Sequence, residues 1–265
     1  MTAIRETFEE TGILLASPKD ASKTPSPSDL AQGRRAIHSR TDPTTFPSFL
    51  AAHGLTAETS IDKLIPFSQW VTPVGSKSRF WTWFYVGFLQ EMKGVLAAED
   101  ASVSNLSGVL SPTHDNHIEI QSAYFQQPRA IIDSFDKGDI SFMPPQFYLL
   151  TMLTDIIDLH ARERHSGNAN STAGYVREVA GRQFGGRVFN PRFGGKYTGD
   201  DGVERSILMY EGDGMYDGKD GDKRVKHRSL LTFKDGRPSS IEIQRDIDLL
   251  GLDSSDKSSG PSAKL

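Results

Sequence analysis

The sequence predicts an α/β fold, with helices laid on a sheet, from three features. Its opening stretch, Thr2 to about Leu15, is built of helix formers and ends near Gly12, with Pro18 forbidding continuation. Gln69 to Thr72 and Arg79 to Leu89 are aromatic and β-branched, as paired strands are, and Pro73-Val74-Gly75-Ser76 joins them as a turn. Pro144 and Pro145 start the longest helix, because proline is tolerated in a first turn. Leu149, Met152, Leu153, Ile156 and Leu159 give that helix one apolar stripe that should pack on the sheet.

The remaining elements follow in order. Residues 16–28 are rich in Ser, Pro and Lys and read as a surface loop. Short helices are expected from Asp29 to Ser39 and from Thr44 to His53, then a strand from His117 to Phe125 and a short helix from Arg129 to Lys137. From Arg182 onward Gly, Arg and Asp dominate, with strand patterns at Val188-Phe189, Ser206 to Tyr210, Ser229 to Phe233 and Ser239 to Ile243. Asp235-Gly236 between the last two supplies the positive φ angles of a type I′ hairpin. Residues 252–265 are polar and expected to be a flexible tail.

Composition removes several functions. A net charge of -4 offers no basic field for nucleic acid, and the absence of cysteine excludes disulfides, thiolate zinc sites and Cys nucleophiles. The longest apolar run, Phe80 to Leu89, is too short to span a bilayer, so no membrane partner is expected.

The chemistry concentrates in Arg5-Glu6-Thr7-Phe8-Glu9-Glu10-Thr11-Gly12-Ile13. On a helix, Glu6, Glu9 and Glu10 share one face within a turn. Bunched carboxylates require a positive charge to stay ionised together, and all-oxygen ligands suit a hard ion such as Mg²⁺ or Mn²⁺. The plainer reading is a solvated helix face laced with charge.

These residues resemble the second half of the Nudix box, whose pattern is G-x5-E-x7-R-E-U-x-E-E-x-G-U with U apolar. Arg5, Glu6, Glu9, Glu10, Gly12 and Ile13 match, and Thr7 stands where an apolar residue is usual. Two downstream segments are similar to the coenzyme A diphosphatase-like branch of the Nudix hydrolases: Trp70-Val71-Thr72-Pro73 followed by Arg79-Phe80 and the aromatic strand, and Pro144-Pro145-Gln146-Phe147-Tyr148. That branch carries an insertion after the box, which residues 16–66 would represent.

The resemblance implies a Nudix-type α+β sandwich over residues 1–165, a β-rich extension over 182–250, and hydrolysis of the diphosphate of coenzyme A, an acyl-CoA or another nucleotide-linked diphosphate. It implies Glu6, Glu9 and Glu10 as ligands of Mg²⁺ or Mn²⁺, Glu6 alternatively as general base, and Arg5 as the holder of a carboxylate. Four residues precede Arg5, so the expectation is a motif entered midway, an incomplete mixed sheet and weak or absent activity. Ala263-Lys264-Leu265 resembles a peroxisomal address read by an import receptor.

Other chemistry-bearing clusters have plainer readings. His114, Asp115, His117 and Glu119 are read as loop and strand rather than a metal site, although Glu119 could add a carboxylate to the box. Arg182, Arg187, Arg192 and Lys196 are read as solvated surface charge rather than a phosphate cradle, and Asp213 to Asp222 as turns. Trp70, Trp81 and Trp83 are expected in the sheet core rather than as an adenine platform.

Overall fold

Gly12 closes the first helix in the left-handed conformation, at φ 72°, and its N–H bonds back to the Phe8 carbonyl at 2.9 Å. That helix, α1 (Thr2–Thr11), is therefore shorter than the expected Thr2–Leu15. Ile13–Leu14 forms strand β1 instead, because a distant segment competes for its backbone. The computed structural model describes residues 1–39, 42–92, 95–98, 103–104, 109–110, 125–165, 171–218, 222 and 224–246. The His114–Glu119 cluster, residues 117–124 of the expected strand and the Ala263-Lys264-Leu265 tripeptide lie outside them.

After β1 (Ile13–Leu14) come β2 (Ser17–Pro18), α2 (Pro27–His38), α3 (Phe46–Ala52), β3 (Leu55–Thr56), α4 (Glu58–Ile61), β4 (Ile65–Val71) and β5 (Trp81–Val86). Short strands β6 (Leu96–Ala97), β7 (Val103–Ser104) and β8 (Val109–Leu110) follow, then α5 (Pro128–Asp136), α6 (Pro144–His165) and α7 (Thr172–Gln183). The chain ends its described structure with β9 (Val188–Phe189), β10 (Arg192–Thr198), β11 (Glu204–Met209), β12 (His227–Lys234) and β13 (Arg237–Arg245). The chain is thus mixed α/β, as its sequence predicts. Among the described residues, no helix is long and apolar enough to cross a membrane.

The chain divides into two compact units: residues 1–64 with 85–126, and residues 65–84 with 127–265. In the first, β1 pairs antiparallel with β6, and β2 with β3. The second pairing corrects the reading of residues 16–28 as a plain loop, since Ser17 and Pro18 lie opposite Thr56 and Leu55. The helices of this region have strong starts. Ser26 and Asp29 form a capping box ahead of α2, and Thr45 and Ser48 do the same for α3. Their apolar faces meet α1 in a core that includes Ile4, Phe8, Leu14, Leu30, Phe46, Phe49 and Leu55.

In the second unit β4 is central, hydrogen-bonded to β5 on one side and parallel to β9 on the other, with Gln69 opposite Val188 and Trp70 opposite Phe189. Covered on both faces, Phe67, Ser68, Gln69 and Trp70 are all buried. Strands β10 to β13 form an antiparallel sheet in sequence order. The turn between its last two strands has φ 52° at Asp235 and 75° at Gly236, the two positive angles its sequence demands.

Helix α6 buries Tyr148, Met152, Ile156 and His160, an i, i+4 stripe, whereas Leu153 and Leu159 of the expected stripe are half-buried. Arg245 of β13 donates to Asp155 of α6 at 3.0 Å. Tyr148 enters an aromatic cluster with Trp70, Phe189, Tyr210 and His227, in which Trp70 stacks on Phe189 at 4.6 Å. Trp70 is the core residue expected. Trp81 and Trp83 are not: they are 65% and 50% exposed on β5, because alternation places 81 and 83 together on one face of an edge strand.

Candidate functional site

Helix α1 sorts its residues by side. Ile4 and Phe8 are wholly buried, and the Phe8 ring stacks on Phe49 of α3 at 5.6 Å with planes 19° apart. Thr7, at the position where the box pattern expects an apolar residue, turns its hydroxyl to the Ala3 carbonyl at 2.8 Å. Phe8 supplies the apolar anchor in its place.

The carboxylates on the remaining surface are unequal. The Glu9 side chain is 8% exposed and that of Glu6 45%; Glu10 is half-buried. Arg5 meets two of them with one guanidinium. Its Nη1 donates to both oxygens of Glu9, at 3.1 and 3.2 Å, and its Nη2 donates to Glu6. A buried carboxylate is costly without such a partner, and Arg5 supplies one to Glu9. A single nitrogen of Arg5 thus bridges both Glu9 oxygens.

The positive charge that the spacing requires is therefore partly present within the chain itself. Among the described residues no group of three or more His, Asp or Glu stands arranged as a metal-ligand set. The donor chemistry of Glu6, Glu9 and Glu10, oxygen throughout, still fits a hard divalent cation. A metal held by Glu6 would share that carboxylate with Arg5.

Arg34 was not foreseen. From α2, 4% exposed, it donates through Nε to the Glu9 carbonyl and through Nη2 to the Glu10 carbonyl, each at 2.8 Å. These are carbonyls of the last helical turn, which lack partners within their own helix. The signal was present in the sequence: Leu30 and Arg34 stand four apart, so a cation falls on the apolar stripe of α2.

Two neighbouring facts complete the support. Gly33 faces Phe49 so closely that a Cβ would lie 2.0 Å from ring atom Cε2, which only glycine permits. Beyond the helix, the Gly12 carbonyl accepts from Ala98 N–H at 3.0 Å, tying the end of α1 to the β1–β6 pair.

Residues 1–153 match the family model described as the NUDT19 Nudix domain. The chain belongs to the Nudix family, in its NUDT19 group. Over 183 residues this Nudix chain is 28% identical to a Gallus gallus protein named acyl-coenzyme A diphosphatase NUDT19, covering 63% of the chain and 43% of that protein. It is 30% identical over 172 residues to the Homo sapiens protein of the same name, covering 60% of the chain and 40% of the relative. The alignments thus span less than half the length of either relative. No solved structure matches.

Three of the other charged candidates are exposed on the second unit. Arg182 pairs with Glu178 at 3.3 Å, Arg192 with Asp217 at 3.2 Å and Lys196 with Glu204 at 2.6 Å, which is the solvated charge expected rather than a cradle. Residues 214–217 form turns, as read. Asp213 does more than turn: it is buried and accepts from Arg228 Nε at 2.6 Å and Nη2 at 2.7 Å.

Proposed function

We propose that the chain hydrolyses the diphosphate of coenzyme A or an acyl-CoA in a Mg²⁺- or Mn²⁺-dependent reaction, releasing 3′,5′-ADP and phosphopantetheine or its acyl form. The supporting observation is a buried carboxylate, Glu9, clamped by Arg5 on a helix whose sequence resembles the second half of the Nudix box. The names of the chicken and human relatives supply the substrate class.

In this reading Glu9 and Glu10 are metal ligands, and Glu6, the more exposed carboxylate, is a further ligand or the base. A divalent cation held by Glu9 and Glu10 would supply the charge that neutralises the phosphate oxygens and polarises the attacking water. Glu6 takes the proton as the water oxygen bonds to phosphorus and the bridging P–O bond breaks. Arg5 holds the Glu9 carboxylate in place through charge-assisted hydrogen bonds.

The test is product analysis with the purified chain, coenzyme A and Mg²⁺. Equal amounts of 3′,5′-ADP and phosphopantetheine, lost on chelation, are expected. Cleavage of an ADP-sugar or NADH with coenzyme A left intact would replace the substrate. Metal-dependent binding of coenzyme A with no cleavage would make the chain a binding module of the same fold.

A peroxisomal location, through an import receptor that reads Ala263-Lys264-Leu265, belongs to the same proposal. Deleting those three residues from a fluorescently tagged chain should then leave it outside peroxisomes.

A further inference from the structure

The segment between the box and β4 lies directly on the carboxylate helix. Helix α2 is fixed at its start by the Ser26–Asp29 capping box and along its length by Gly33 against Phe49, whose ring stacks on Phe8 of α1. Arg34 follows Gly33 and is held by that packing with its guanidinium on the Glu9 and Glu10 carbonyls, both at 2.8 Å. These two carbonyls belong to the residues whose side chains carry the proposed metal ligands.

From this arrangement we infer that Arg34 is a positioning residue for the metal-binding carboxylates, and that residues 16–66 serve in part to deliver it. The inference rests on the reading of Glu6, Glu9 and Glu10 as metal ligands. Its physical basis is the geometry of a helix end. The last carbonyls have no intrahelical donors, and a final turn without partners frays. Fraying would rotate Glu9 and Glu10 away from Glu6 and Arg5, because the shared face exists only while residues 6, 9 and 10 keep helical spacing.

Arginine suits this place better than lysine. Its planar fork presents Nε and Nη2 to two separate acceptors at once, whereas an ammonium is one point of charge. A cation at the C-terminal end of a helix also complements the dipole there. Arg34 touches neither substrate nor metal; it acts through the backbone of the ligands.

The experiment measures Mn²⁺ affinity of the full chain by electron paramagnetic resonance, beside its melting temperature. Arg34→Gln is expected to weaken Mn²⁺ binding about tenfold, the lower end of what loss of an outer-shell partner costs. Arg34→Lys should give an intermediate loss, and it carries the test if Arg34→Gln does not fold. Leu55→Ala, a buried core position of the same unit, controls for stability: it should lower the melting temperature and leave Mn²⁺ affinity unchanged.

Equal affinity in the unaltered chain and both Arg34 variants would overturn the positioning role while leaving the ligand assignment standing. A loss that merely tracks melting temperature across all three variants would overturn it too. No Mn²⁺ binding by the unaltered chain would remove the ligand assignment itself, and this inference with it.

Discussion

Arg5 and Glu9 are joined one turn apart on the same helix, Nη1 lying 3.1 and 3.2 Å from the two carboxylate oxygens. The pair is asymmetric: Glu9 is buried and Arg5 is 39% exposed. Removing the arginine therefore strands a carboxylate, while removing the carboxylate returns an arginine to water. Arg5→Gln should destabilise the chain by about 2 kcal/mol, less than the loss for a fully buried pair because Arg5 reaches solvent. Glu6→Gln, which breaks only the exposed partner, should cost under about 1 kcal/mol. Urea denaturation of the two variants checks both, and equal losses would contradict the asymmetry.

A second buried pair makes a larger claim. Asp213 and Arg228 are 0% and 9% exposed and doubly hydrogen-bonded. Burial pushes the Asp213 carboxyl up, but Arg228 and the N–H groups of His227 and Met215 outweigh it and hold it below its ordinary range. Asp213→Asn should cost about 3–5 kcal/mol, since it leaves the guanidinium without its counter-charge. A melting temperature within a degree of the unaltered chain would contradict this.

His227 sets a pH dependence of known sign. Its Nδ1 faces the Glu211 carbonyl at 2.7 Å and so carries the proton, which leaves Nε2 to accept from the Tyr148 hydroxyl at 2.6 Å. Burial, aided by the charges of Arg187 and Arg245, lowers its pKa from 6.5 to about 4 against the pull of the Glu211 carbonyl. Below pH 6.5 the unfolded chain takes up a proton that the folded chain refuses. Stability is thus full above that pH and falls as the pH drops towards 4, by about 2 kcal/mol between pH 7 and 5. Denaturation curves at those two pH values should show the loss in the unaltered chain and a smaller one in His227→Gln.

Gly33 offers a packing test. A methyl group there would overlap the Phe49 ring, so Gly33→Ala should destabilise by about 1–3 kcal/mol. Phe49→Leu should cost less in the Gly33→Ala background than alone, because the smaller side chain relieves the overlap. Additive losses in a double-mutant cycle would show that the two positions do not press on one another.

These relationships differ in how far the sequence revealed them. Local signals were readable: the Asp235-Gly236 hairpin, the short helix ahead of Gly138, the proline-led helix at Pro144, and the box-like residues on α1 each depend on neighbours a few positions away. Pairings at long range were not. Ile13–Leu14 read as more helix because its partner, Leu96–Ala97, lies more than eighty residues on. Trp81 and Trp83 carry strand propensity whether their face is covered or open, so composition could not place them. Helix α7 was not anticipated at all. At the candidate site, spacing and the box resemblance singled out Glu6, Glu9, Glu10 and Arg5, but the buried state of Glu9 and the reach of Arg34 to two carbonyls are properties of packing between helices.

The proposed metal-dependent diphosphate cleavage rests on Glu9, buried and clamped by Arg5. The most direct measurement is the rate of 3′,5′-ADP release from coenzyme A by the unaltered chain and by Glu9→Gln, across a range of Mg²⁺ concentration. The account predicts Mg²⁺-dependent release by the unaltered chain and a loss of about a hundredfold or more in the variant, because a neutral amide binds the cation poorly and removes charge from the site. A folded Glu9→Gln that releases 3′,5′-ADP as fast as the unaltered chain would contradict it.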